Sequence, residues 1–156
     1  MNRTEQIKDI LEEMGLSPVV NGNSIEVTFE MKFLVINTSE NEPNADEDED
    51  KYINIQLNRL YDIQDESEIT EILVICNKLN RELRQIKTYI SEDLSAVDSS
   101  FEFWFLDDAD LRNNISTALY MFSYIRTYFY QSLREIRVGS DTPEITDNND
   151  VEEKSE

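Results

Sequence analysis

Apolar residues in this 156-residue chain recur with a helical period in three blocks and with a period of two in the stretches between them, and that order constrains the fold more than any other feature. Over residues 3–14, Ile7, Ile10, Leu11 and Met14 fall at i, i+3, i+4 and i+7, Asn2 and Glu5 are spaced as a capping box, and Gly15 stands just past the end. From Ile25 every second residue is apolar, through Val27, Phe29, Met31 and Phe33 to Val35, which predicts one half-buried strand or a tight strand pair. Ile53, Ile55 and Leu57 alternate with Asn54, Gln56 and Asn58 and predict a strand pairing with the first. Residues 66–85 return to the helical period, with Ile69, Ile72, Leu73, Cys76, Leu79 and Leu83 on one stripe. Tyr89–Ile90 and the alternating Phe101, Phe103 and Phe105 predict a second hairpin, joined by a segment from Glu92 to Ser100 rich in turn formers. The last helix, about 109–136, is capped by Asp107 or Asp108 and carries the longest core stripe, from Leu111 through Phe122 to Ile136. Blocks without βαβ alternation predict an α+β fold of order α-β-β-(β)-α-β-β-α, an antiparallel sheet with its helices packed on one side.

Charge divides the chain further. With 14 Lys+Arg against 34 Asp+Glu the net charge is −20. Residues 37–50 hold seven acids and no base, and residues 139–156 hold seven acids against Lys154, so the other 124 residues carry −7. Self-repelling segments poor in apolar residues do not offset their ordering entropy. We therefore expect a single domain over 1–138 with a mobile acidic loop at 37–50, followed by a disordered acidic tail at 139–156. A molecule this acidic is repelled by nucleic-acid backbones and anionic membranes and attracts basic segments instead.

Composition also narrows the chemistry. There is no histidine, which removes the usual serine and cysteine triads, histidine general bases and nearly all zinc sites. Three glycines leave no room for a phosphate-cradling loop. Asp46, Asp48 and Asp50 begin like a calcium loop, but Lys51 and Leu57 stand where its turn glycine and bidentate glutamate belong, so no metal or cofactor is expected. The carboxylates offer no pair distinguishable from surface charge, and no enzyme activity is expected. Cys76, the lone cysteine, sits on an apolar stripe without a basic neighbour and is expected to be a buried core thiol. A chain without a disulfide, an apolar leader or a membrane span is expected in the cytoplasm.

The strand Tyr52-Ile53-Asn54-Ile55-Gln56-Leu57, the helical segment Ile75-Cys76-Asn77-Lys78-Leu79-Asn80-Arg81-Glu82-Leu83 and the Tyr89–Ile90 and Phe101–Phe105 strands, in this order, resemble the YbjN-type family of bacterial proteins. That family, often labelled sensory transduction regulators, is similar in fold to type III secretion chaperones. The resemblance covers about residues 5–136. It implies a protein-binding or chaperone-like role and brings no catalytic residues. Asn77 and Asn80, beside the second helix's stripe, are expected to tie helix to sheet through backbone groups.

The last helix carries the functional expectation. At about 100° per residue, Tyr120, Met121, Tyr124 and Tyr128 fall on the side away from Phe122 and its stripe. A surface helix ordinarily carries charge there, and tyrosine tolerates both burial and water. Three covers fit such a ridge: another part of this domain, a second copy in a homodimer, or a different protein. The expected function is a non-enzymatic protein-interaction module, a chaperone-like or regulatory binder. The alternative is an acidic nucleic-acid mimic or toxin-neutralising protein, which would depend on surface carboxylates rather than on apolar side chains.

Overall fold

The computed structural model describes residues 2–38 and 51–140, with only the backbone of Ser140. The expectations for the acidic stretches 39–50 and 141–156, Asp46, Asp48 and Asp50 included, lie outside the described residues. Helix α1 (Arg3–Glu13) is followed by strands β1 (Val19–Asn21), β2 (Ser24–Phe29), β3 (Lys32–Thr38) and β4 (Tyr52–Asp62). Helix α2 (Ile69–Glu82), entered through a 3₁₀ turn at Glu66–Glu68, leads to β5 (Ile86–Ile90), β6 (Ala96–Trp104) and α3 (Asp108–Ser140). Six strands form one antiparallel sheet in the order β1-β2-β3-β4-β6-β5. The fold is α+β with an antiparallel sheet, as the block order implies.

Both ends of α1 and the start of α3 have a local cause. Asn2 Oδ1 accepts from the Glu5 amide at 2.8 Å, and the Glu5 carboxylate accepts from the Asn2 amide. At the far end of α1 the chain turns at Gly15, φ +82°, and the Leu16 and Gly15 amides donate to the carbonyls of Leu11 and Glu12. This is the Schellman arrangement, which needs a residue tolerant of the left-handed region. Asp107 accepts from the Asp110 amide and caps α3.

One face of the sheet is apolar from edge to edge. Val20, Ile25, Ile36, Ile55, Phe101 and Ile86 are successive partners across all six strands. Ile7 and Leu11 of α1, Ile75 and Leu79 of α2, and Phe122 and Phe129 of α3 cover that face and are buried with it from β2 to β5, while Val20 at the β1 edge stays exposed. The opposite face carries Glu26, Val35, Gln56, Ser100 and Lys87 as a parallel row of partners.

Several positions depart from the sequence expectations. The alternation from Ile25 to Val35 is a tight pair, and its second half is inverted: Leu34 and Ile36 are buried, whereas Phe33 is 51% exposed. The two-residue turn at Glu30–Met31 pairs Phe29 with Lys32, so odd-numbered residues of β2 share a face with even-numbered residues of β3. In α2, Leu73 is exposed and Ile75 takes its place beside Ile72, Cys76 and Leu79. Strand β3 continues through Asn37 and Thr38, and α3 continues through Gly139 to Ser140, past the limits read from composition. The β5–β6 connection is shorter than expected, since Ala96 to Ser100 belong to β6.

Candidate functional site

The tyrosine-bearing face of α3 is where an unusual sequence pattern and an uncovered surface coincide. Leu111, Ile115, Ala118, Leu119, Phe122, Ile125, Phe129 and Leu133 are buried against the sheet. The opposite side stays in solvent, with Tyr120 at 61%, Tyr124 at 42% and Tyr128 at 43% exposure. α1 and α2 pack on the same sheet face as α3, beside it rather than on its back. At ~1.5 Å per residue α3 is about 50 Å long, three times the span of α1 and more than twice that of α2. Neither neighbour reaches over its back.

The three tyrosines form a continuous ridge. The Tyr120 and Tyr124 rings stand edge to face with centroids 4.8 Å apart, and Tyr124 to Tyr128 is 6.2 Å. The neighbouring Tyr120 hydroxyl is the main reason that of Tyr124 is harder to ionise, and Tyr128 and Glu30 act in the same direction. Glu30 thus brings the β2–β3 turn into electrostatic range of the ridge. Met121 departs from the expected set, being half-buried and packed against the core.

A further exposed aromatic of α3, Tyr130, lies near the edge of the core stripe on the helical wheel. Its ring packs edge-on against Tyr61 and Phe129 at 5.8 and 6.0 Å. With Tyr61, Leu133, Arg134, Arg137 and Val138 it lines an open groove of about 340 Å³ at the end of α3. Arg137 is committed to structure there. Its guanidinium donates to Glu68 at 2.7 Å and Glu71 at 2.8 Å, tying α3 to the start of α2. The Tyr61 hydroxyl donates to the same Glu68 oxygen at 2.7 Å, and this bond is the foremost cause holding the Glu68 carboxyl below its ordinary range. Burial, aided by Glu68, pushes the Tyr61 hydroxyl up.

On the open face of the sheet, Lys87 donates to Glu102 at 2.9 Å and Asn54 donates at 3.2 Å. Lys87 is the first cause of the lowered Glu102 pKa, so this carboxylate is ionised at neutral pH and is no proton donor there. Tyr52, whose ring lies 5.2 Å from Trp104, is pushed up to about 12, first by burial and then by Glu102. Among the described residues no three acidic or thiol side chains converge where they could hold a metal ion.

The remaining singled-out residues separate cleanly. Cys76 is buried, and loss of solvent pushes its thiol up to about 11. Asn80 Nδ2 donates to the Thr88 carbonyl at 3.0 Å and Asn80 Oδ1 accepts from the Thr88 amide at 2.7 Å, binding α2 to the edge strand β5. Asn77 is exposed. Among the described residues no helix is long and apolar enough to cross a membrane.

No family model matches the sequence, and no curated protein does. Among solved structures the chain is similar to YbjN from E. coli, described as a candidate transcription regulator, with a TM-score of 0.60 at 7% identity over 85% of this chain and 92% of that one. An uncharacterized protein from Methanothermobacter thermautotrophicus superposes with a TM-score of 0.45 at 16% identity, over 87% of this chain and 94% of that one. The fold is YbjN-like.

Proposed function

We propose that this chain is a non-enzymatic protein-interaction module, chaperone-like or regulatory, whose binding face is the outer side of α3. One observation carries the reading: an exposed ridge of three tyrosines in mutual contact, on the longest helix of an acidic molecule, where a solvated helix would carry charge. Tyrosine supplies a large contact area at low entropic cost and is enriched where proteins meet. YbjN is described as a candidate transcription regulator. A regulator with a net charge of −20 would act through proteins rather than by gripping the DNA backbone. Cytoplasmic residence belongs to the same reading, since a single buried thiol suits a reducing compartment.

The test compares the full chain with its Tyr124→Glu/Tyr128→Glu variant in capture from native lysate and by far-UV circular dichroism. We expect a native spectrum and loss of the captured proteins. Capture that survives these substitutions but collapses when surface carboxylates are neutralised would favour the acidic-mimic alternative.

A further inference from the structure

From Asn113 to Leu133 the helix α3 holds a single charged residue, Arg126, in a chain of which 31% is charged. Arg126 is half-buried and lies about 40° from Phe122 at 100° per residue, on the flank of the core stripe. The outward side is left to Asn113, Thr117, Tyr120, Tyr124, Tyr128 and Gln131, all exposed and all uncharged. Their order is nearly symmetric about Tyr124. Reversing the helix about that residue sets Tyr120 on Tyr128, Thr117 on Gln131 and Asn113 on Glu135, so no like charges meet along the seam.

A basic partner would be met by carboxylates; the stretch itself presents none, and Glu30 of the β2–β3 turn, which acts on Tyr124, is already paired with Lys32 at 3.5 Å. A second copy brings another −20 and approaches most cheaply where charge is absent. Accepting the outer side of α3 as the binding face, we infer that its occupant is a second copy of this chain, packed antiparallel with Tyr124 on the two-fold axis. The contact is isologous, each tyrosine meeting its counterpart in the reversed order. A seam of about 28 Å by 10–12 Å lies below the usual size of a stable interface, so the dimer is a weak, reversible one carried by its aromatic centre.

Electrostatics sets a sign that separates this occupant from others. Glu30 acts on Tyr124 and sits 3.5 Å from Lys32. The two-fold sets the two copies of Glu30 opposite each other across its axis, and each chain adds a net charge of −20. Salt therefore strengthens self-association, whereas it would weaken capture of a basic segment.

Sedimentation equilibrium of the full chain at tens of micromolar, at low and high salt, is the first measurement. The expected result is a mass near twice that of the chain, with a dimer fraction that rises with salt, and a return to monomer mass in Tyr124→Glu with a native far-UV spectrum. The second fixes the register. Under mild oxidation Tyr124→Cys should form a disulfide-linked dimer, while Thr117→Cys, whose two copies lie about 20 Å apart in this packing, should not. Cys76 is buried and does not compete. A monomer at every salt concentration overturns the second copy as occupant; the binding-face reading then stands or falls separately, on whether Tyr124→Glu/Tyr128→Glu loses captured protein. A dimer that ignores Tyr124→Glu, or cross-links equally well through Thr117→Cys, also overturns the inference.

Discussion

Glu30 and Met31 form the β2–β3 turn with φ of 46° and 63°, a left-handed backbone that costs an L-residue about 1–2 kcal/mol. Met31 recovers little of this, being 92% exposed. Met31→Gly is expected to raise stability by up to about 1 kcal/mol, seen as a higher urea midpoint at unchanged m-value. A lowered midpoint would mean that the methionine side chain holds the turn. The missing glycine is also why the inverted face of β3 was illegible: no turn dipeptide interrupts the alternation from Ile25 to Val35, so nothing in the residues marks where the parity changes. Cys76, by contrast, was readable from its neighbours alone. A thiol reagent should label it only after global or sub-global opening, and Cys76→Asp should cost several kcal/mol as an unpaired buried charge. Rapid labelling of the native protein at neutral pH would contradict its burial.

Between elements, the legible contacts are those made by residues of a single type with one evident task. Asn80 is one: a side chain with both a donor and an acceptor, next to an apolar stripe, meets the Thr88 carbonyl and amide and blunts the outer edge of β5. Asn80→Ala should cost about 1–2 kcal/mol, and Asn80→Asp should not restore it, since a carboxylate cannot donate to the Thr88 carbonyl. Ile75 was missed for a different reason. Ile72, Leu73, Val74, Ile75 and Cys76 are consecutive and apolar, so periodicity alone does not choose among them; the packing of α2 against β5 and α3 does. The clasp of Arg137 on Glu68 and Glu71 was invisible as well, because 66 residues and more separate its parts. Its pH dependence has a definite sign. Glu68 titrates lower in the folded state than its ordinary 4.5, first through Tyr61 and then through the Gln64 amide and Arg137, so Arg137's share of that stabilisation is full above 4.5 and is lost as pH falls through the lowered value. Arg137→Leu should therefore reduce stability by about 1 kcal/mol at neutral pH and less in acid, so that the two unfolding curves converge as pH falls. Parallel curves would place the effect in packing rather than charge.

At the scale of the molecule, charge and shape act on different parts. The tyrosine ridge could be located on the helical wheel, but whether it was covered depended on where α1 and α2 pack, and both lie on the sheet face beside α3. The charge is spread unevenly: residues 37–50 and 139–156 together hold −13 of the −20. Like charges confined to one small particle repel, and the repulsion is relieved by screening or unfolding. The melting temperature should therefore climb with salt and level off once the Debye length falls below the spacing of the charges. Dimer formation would rise with salt too and imitate this, so the measurement belongs in the Tyr124→Glu background, where association is removed. Replacing the seven acids of 37–50 by their amides in that background should raise the low-salt melting temperature and flatten its salt dependence. If the amide variant melts lower instead, those carboxylates make favourable pairs with the bases of the core, and the chain's acidity contributes to its stability rather than opposing it.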